Sequence, residues 1–337
     1  MRYRILMISS AAVLLALMLW GLTAGAAQLS PLDAAQILFI RLCGGDPAQS
    51  GFTLSSSVIV WDIRLPRVLA AMLCGAALAV SGAIFQSLLL SPLADAYTMG
   101  SSSGAAFGAV LGLYLSISLG IPISTTACAF AMALITLLTV LTASKGASGT
   151  HSLIMAGVIV GSIMSAGVSF VKVLAGDMIG SVSIFLIGSL ASVGMDKLSL
   201  LAAVTLLGGI CAYIGAYRLN IMTLGEGEAR QLGVNTSAMR IFYCIVATAL
   251  TASCVAVCGT IGFVGLIVPH VARRLVGSDN RKIIPLCMLG GAALLLGADT
   301  VSRVLLPREL PVGVMTTLLG GPFFLWLFIR GRRKEAL

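Results

Sequence analysis

The chain of 337 residues is 58% hydrophobic and only 10% charged, with a mean hydropathy of +1.06. No soluble domain hides that much apolar surface, so the composition excludes a soluble globular protein and points to a polytopic membrane protein. At about 20 residues per span the length allows eight to ten helices. The net charge of +9 sits between apolar runs, where it reports membrane topology rather than nucleic-acid binding.

Arg2 and Arg4 precede an apolar run over 5–22, followed by the small residues Ala24, Gly25, Ala26 and Ala27. The pattern fits a retained first span or a cleavable signal segment. Residues 28–62 form the longest polar connection, with short amphipathic pieces at 32–42 and 58–61. RLPR at 64–67 opens a second span over 68–90, and SPLADAYTMGSSSGAAFGA reads as a short turn running into a third. There Gly100, Gly104 and Gly108 recur every four residues, which predicts close approach of one helix face to a neighbour. Further spans read as 123–141, 153–174, 198–217, 241–258, 283–301 and 312–329. Two apolar pieces are shorter. Residues 179–190 suit a re-entrant helix, and 266–275 cross with tilt if both termini share a side.

Cys74, Cys128, Cys211, Cys244, Cys254, Cys258 and Cys287 fall in apolar runs, leaving Cys43 in a polar loop. They read as small hydrophobes, not a disulfide framework. Cys254 and Cys258 lie one helical turn apart, but the histidines are His151 and His270 alone, and no metal site is expected.

The stretch GTIGFVGLIVPHVARR (259–274) is too apolar for a surface loop and too glycine-rich for an ordinary span. Gly259, Gly262 and Gly265 recur every third residue, and Pro269 interrupts the run before His270, Arg273 and Arg274. Glycine permits backbone that side chains forbid, and proline removes a helix donor. Two readings stand: a loop ending in a basic anchor, or a broken helix beside a transport path. The second needs neighbouring protein or a water-filled cavity to satisfy its backbone.

Charge supplies the sidedness. An inside amino terminus and ten spans put Arg2, Arg4, Lys145, Arg218, Arg230, Arg240, Arg273, Arg274, Arg281, Lys282, Arg330, Arg332, Arg333 and Lys334 on the inside, 14 of the 21 basic residues. Arg41, Arg64, Arg67, Lys172, Lys197, Arg303 and Arg308 fall outside. The two-to-one bias obeys the positive-inside rule. The sequence carries no G-x-x-x-x-G-K-[ST] or H-E-x-x-H motif, and GSSSG at 100–104, which spells G-x-S-x-G, opens an apolar span rather than forming a strand-to-helix elbow, so the expectation is a transporter, channel or scaffold and not an enzyme.

RLPRVLAAMLCGAALAVSGAIFQ (64–86), SPLADAYTMGSSSGA (91–105), LGEGEARQLGV (224–234), the glycine-rich 259–285 block, ADTVSR and ELPVGVMTTLLGGPFF occur in this order. Together they resemble the FecCD/BtuC-like iron-siderophore, haem and cobalamin permease family of ABC importers. Ser91 stands where that family usually has asparagine, and Ala96 where proline is common. The resemblance implies an all-α polytopic membrane protein with about ten transmembrane helices per subunit, the type II ABC importer permease fold. It implies a single permease domain over 1–337 with a coupling loop at about 218–240 and no soluble domain. It makes the first apolar run a retained span.

The function so implied is import of an iron-siderophore or related metal chelate across the bacterial inner membrane, with both termini cytoplasmic. A cobalamin or haem permease is the alternative on substrate. A proton-coupled secondary transporter is the alternative in class, and it would need an intramembrane relay where Asp299 is nearly alone. Implied partners are a second permease copy, forming a homodimer in the lipid bilayer, two ATP-binding subunits that hold ATP and Mg, and a periplasmic or lipid-anchored substrate-binding protein, with no nucleic acid. No cofactor is expected on this chain.

By the same resemblance, Leu224, Glu226, Glu228, Ala229, Arg230, Gln231, Leu232 and Gly233 form the helix that meets the ATPase. On composition alone it is equally a solvated connector. Arg64, Arg67 and Arg303 resemble arginines that receive acidic residues of the binding protein, with interfacial snorkelling as the plain alternative. Thr150 and His151 fall near the implied cytoplasmic gate, although a histidine at a membrane boundary needs no such role. Asp299 is the acid expected to need a packed partner within the membrane.

Overall fold

The computed structural model describes residues 2–25, 29–45, 47, 52–144, 150–176, 179–305 and 309–335. Lys145 and Arg308, assigned to opposite sides by charge, lie outside these. The described elements are helical: α1 (Arg2–Thr23), α2 (Pro31–Leu42), α3 (Leu54–Val58), a π-helical turn (Ile59–Arg64), α4 (Leu65–Leu88), α5 (Ser101–Leu119), α6 (Thr125–Ala143), α7 (Thr150–Ala175), α8 (Ile179–Ile187), α9 (Met195–Ile214), α10 (Ala216–Met222), α11 (Glu226–Gln231), α12 (Thr236–Cys258), α13 (Val264–Val276), α14 (Asn280–Leu305) and α15 (Val312–Glu335). Among the described residues, eight helices are long and apolar enough to cross a bilayer. The apolar part of α15 is a further, shorter apolar helix over Val312–Trp326, and α13 is shorter again.

The helix α4 is the centre of the bundle. Nearly all its residues are buried, and it packs on α14, α12, α13 and α9. Its contact with α14 is antiparallel and very close. A Cβ on Gly75 would come within 2.1 Å of the Gly291 carbonyl oxygen, and one on Gly291 within 2.2 Å of that of Gly75. Small residues at a crossing let two backbones meet, which favours association where lipid offers no hydrophobic drive.

The α5 glycines divide their work. Gly104 and Gly108 face α6, as their spacing predicts, with Gly112 a turn further on. Gly100 instead takes a left-handed φ of 70° as the N-cap of α5 and rests against Gly157 and Gly161 of α7. Nor does the second span begin at 68. Helix runs without interruption from Leu54 to Leu88, and the 58–61 piece is absorbed into it.

The two short apolar pieces take different courses. α8 packs against α7, α5 and α15. α13 lies along α4, with Gly265 opposite Gly82 and Arg273 reaching Ala83 O and Ser87 Oγ, both at 3.2 Å. At 1.5 Å per residue its 13 residues span only about 20 Å, less than a full hydrocarbon core.

The start of α1, the α13–α14 turn and the α10–α12 segment share one end of the bundle. Tyr3 lies within electrostatic range of Tyr213 and Asp279. Asn220 Nδ2 donates to Asp279 at 2.8 Å, and the Asn280 N–H donates to Asn220 Oδ1 at 2.8 Å. Arg281 sits over the Tyr217 ring at 4.9 Å. This is the basic end, and its tyrosines form an interfacial aromatic group. Burial works against the Asp279 carboxylate, but the Asn220 amide, the Arg281 N–H and the charges of Lys282 and Arg281 hold it below its ordinary range.

Candidate translocation site

The helical path stops at Cys258 and resumes at Val264. Gly259 ends α12 with φ 73°, and a Cβ there would lie 1.8 Å from the Phe185 carbonyl oxygen. Only glycine fits. One freed carbonyl, that of Cys258, finds a partner on the segment after α8, and two further bonds tie the end of α8 to the break and that segment to α15. The Ser189 N–H donates to Cys258 O at 2.9 Å, the Thr260 hydroxyl donates to Leu186 O, and the Gly313 N–H donates to Gly188 O at 3.1 Å. Irregular backbone at membrane depth survives when protein satisfies it in this way.

Phe263 completes the break. Its φ of 68° is left-handed, a conformation that costs a non-glycine residue energy and persists where surroundings enforce it. Here the ring lies 6.2 Å from that of Phe324, directly against Gly320, where a Cβ would clash with it. Pro269, by contrast, is not the breaker. It is buried inside α13, which continues through it, so the interruption lies some six residues earlier than proline placement suggests.

The turn after α4 also departs from its sequence reading. Residues 91–100 fold back into the bundle, organised by Asp95, which is only 6% exposed. Asp95 Oδ1 accepts from the N–H groups of Tyr97 and Thr98 at 3.1 and 3.0 Å, and the Thr98 hydroxyl donates to Asp95 O at 2.8 Å.

These segments enclose a cavity of about 650 Å³. Its wall takes Asp95, Tyr97 and Thr98 from the turn, Thr260, Gly262 and Phe263 from the break, Leu186 and Ile187 from α8, and Gly313, Val314, Thr317 and Leu318 from α15. A Cβ on Gly262 would find nothing nearer than the Tyr97 ring at 3.9 Å, so this glycine leaves room. Gly265 serves α4–α13 packing, where Gly82 leaves no space for a side chain. The cavity is a mainly apolar recess with a few hydroxyls, the usual make-up of a site for a bulky organic ligand.

At the basic end, α11 is braced from within. Glu226 pairs with Arg240 at 2.6 Å and more loosely with Arg230 at 4.0 Å, and Arg230 Nε donates to Thr236 Oγ1 at 3.1 Å. The C-cap expected at Gly233 is present, with φ 80° and a Gly233 N–H to Arg230 O bond of 3.0 Å. The Val234 N–H reaches back to Ala229 O at 3.0 Å, completing a Schellman motif. Ala229 is buried, whereas Leu224 and Leu232 are each 60% exposed. His151 is exposed at the start of α7. Thr150 opens that helix, and its side chain lies outside the described residues.

The opposite end gathers Arg64, Arg67 and Arg303, but not as a solvated rim. All three are buried, at 5%, 6% and 7% exposure. Arg67 Nε lies 3.0 and 3.1 Å from the two oxygens of Asp299, and Arg67 Nη1 lies 2.6 Å from Glu309. Arg303 Nε lies 3.2 Å from Asp299 Oδ2, an ion pair without hydrogen-bond alignment, since the same Nε has no aligned acceptor. Arg64 donates to Leu22 O and Thr23 O, and Arg303 to Gly21 O, at 2.8 to 3.0 Å. The carbonyls that end α1 thereby gain donors. Sequence spacing missed Glu309, although an acid six residues beyond Arg303 was a readable signal.

A bundle of at least eight membrane-length helices, with a helical break at 259–263 beside a cavity, has the architecture of a membrane permease. The chain belongs to the FecCD transport family, whose family model matches residues 13–330. It is similar to the hemin transport system permease protein HmuU of Yersinia pestis, at 38% identity over 82% of this chain and 85% of that one. It is also similar to the vitamin B12 import system permease protein BtuC of Klebsiella pneumoniae, at 36% identity over 88% of this chain and 91% of the relative. A solved inward-facing metal-chelate type ABC transporter superposes with a TM-score of 0.82 at 29% identity, covering 97% of this chain and 99% of the other. The chain is thus an ABC importer permease, a transport protein and not an enzyme.

Proposed function

We propose that this chain imports an iron-siderophore or a related large metal chelate across the bacterial inner membrane, as two identical copies coupled to two separate ATP-binding subunits. The cavity beside the 259–263 break carries the reading. Its size, about 650 Å³, and its mainly apolar wall suit a bulky chelate better than a bare ion. Selection then falls largely to a separate substrate-binding protein. Hemin or cobalamin is the second reading, favoured by the similarity to the Yersinia and Klebsiella permeases. A proton-coupled transporter has little support, because Asp299 is held by two arginines.

Under this reading the whole chain is one permease domain and the basic end faces the cytoplasm with both termini. The 218–240 loop meets the ATPase there, with ATP and Mg held by that partner. Leu224 and Leu232, exposed on either side of α11, are suited to a partner's groove. Thr150 and His151 are candidates for a cytoplasmic gate where two copies meet. At the other end Arg64, Arg67 and Arg303 hold the mouth on which the binding protein docks, acting mainly by shaping it, since their own charges are largely engaged within the chain.

Replacing residues 226–231 with a Gly/Ser linker is the test of coupling. Ala229 is the buried member of that helix, so membrane insertion should persist, while transport-linked ATP hydrolysis and ATPase association fall to background. Normal transport by the linker variant would reduce the loop to a connector. For orientation, a cysteine at position 230 should stay protected from an impermeant maleimide in intact cells and react after lysis. Labelling of that position in intact cells would invert the assignment.

A further inference from the structure

Between α1, α13 and α14, near the basic end, lies a second recess of about 380 Å³ that translocation leaves unused. Its walls are apolar, with Leu6 and Val13 on α1, and Val271 and Leu275 on α13. Ser9 and Ser10 also border it, but their hydroxyls donate to Leu6 O and Met7 O of their own helix, at 3.0 and 2.9 Å. Gly290 of α14 lies at its floor, packed against Val268. No wall group there seeks a polar ligand, and Val271 and Leu275 are 37% and 55% exposed. The recess is therefore built for hydrocarbon.

Helical spacing puts a cation at the mouth on each wall. Arg2 is four residues before Leu6 and seven before Ser9, so it continues the α1 stripe by one turn toward the basic end. Arg274 is three residues after Val271 and seven after Ile267, and continues the α13 stripe in the same direction. Both are exposed, and among the described residues neither takes part in an ion pair. Arg4 points elsewhere, because it falls between the stripe positions of α1. One cation at a helix end is ordinary snorkelling. Two closing the same apolar groove match an anion joined to a hydrocarbon chain.

We propose that this groove binds one anionic phospholipid of the leaflet at the basic end, with an acyl chain between α1 and α13 and its phosphate at Arg2 and Arg274. Charge complementarity selects the occupant: anionic headgroups accumulate cationic side chains at the membrane surface, and a zwitterionic lipid gains less from them. The proposal is independent of the transported substrate and of which side of the membrane that leaflet faces.

Native mass spectrometry of the purified full chain, titrated with phosphatidylglycerol or phosphatidylcholine, tests it. One phosphatidylglycerol adduct should form at least fivefold more readily than the phosphatidylcholine adduct. Arg2→Gln with Arg274→Gln should abolish that preference, whereas Arg4→Gln should retain it. Ser9→Phe, which fills the groove from an exposed position, should displace both lipids. Equal retention of the two lipids, or an unchanged preference in the double Gln variant, would overturn the site. So would a Ser9→Phe variant that keeps its lipid but loses self-association, since the groove would then hold a second copy of the chain. The double Gln variant alters only exposed side chains, so the test stands even if Ser9→Phe fails to fold.

Discussion

Asp299→Ala should cost about 3–5 kcal/mol of stability, because removing one partner of a buried ion pair strands the other. Here two cations are stranded. Asp299 is fully buried, Arg67 grips both of its oxygens, and Arg303 lies 3.2 Å from Oδ2. Glu309 cannot replace it, since its side chain is 50% exposed and touches only Arg67 among these arginines. Changing Asp299→Leu, Arg67→Met and Arg303→Met together should recover part of the loss, as apolar replacement of a whole buried ion cluster often does. Thermal unfolding of the purified chain in a mild detergent measures both variants. An Asp299→Ala protein that unfolds at the wild-type temperature would show that the cluster is not structural.

Gly75→Val should be at least as damaging, for a steric reason. The added Cβ would lie 2.1 Å from Gly291 O and 2.9 Å from Leu295 Cβ. The first obstacle is backbone within the contact between the two central helices α4 and α14, so no side chain can swing aside. Over-packing a core usually costs about 1–3 kcal/mol, and this substitution should exceed that range, with the chain failing to accumulate in the membrane. Gly321→Val, on the same chain but with nothing within 4 Å of its Cβ position, is the control and should accumulate normally. Equal accumulation of the two variants would mean that the α4–α14 crossing is looser than described.

Much of this architecture was readable because lipid imposes simple rules. Apolar runs of span length marked the helices, and the α5 glycines announced their contact with α6. The break at 259–263 was visible in its glycines, but its cause was not. Phe263 adopts a left-handed backbone because Phe324 and Gly320 clamp its ring, and residues some 60 positions away leave no local trace. Pro269 drew attention for the opposite reason: proline is a strong local signal, yet a neighbouring bundle can hold a helix through it. The arginines show the same limit. RLPR at a span end reads as snorkelling or as a dock for a partner's acids, and the pairing of Arg67 with Asp299 and Glu309, which arrive from the other end of the chain, leaves no local trace. The 91–100 turn looked like a simple connection because its fold depends on Asp95 capping its own backbone inside the bundle.

Uptake measured in cells lacking this chain tests the account most directly. A panel of ferric siderophores, hemin and cobalamin should contain at least one compound whose energy-dependent import is lost without the chain and restored by the wild-type protein. Gly262→Trp, which projects an indole into the open space beside Tyr97, should reach the membrane in normal amount and fail to restore that import. Import of every compound without the chain, or full restoration by the membrane-inserted Gly262→Trp protein, would contradict a chelate path through this cavity.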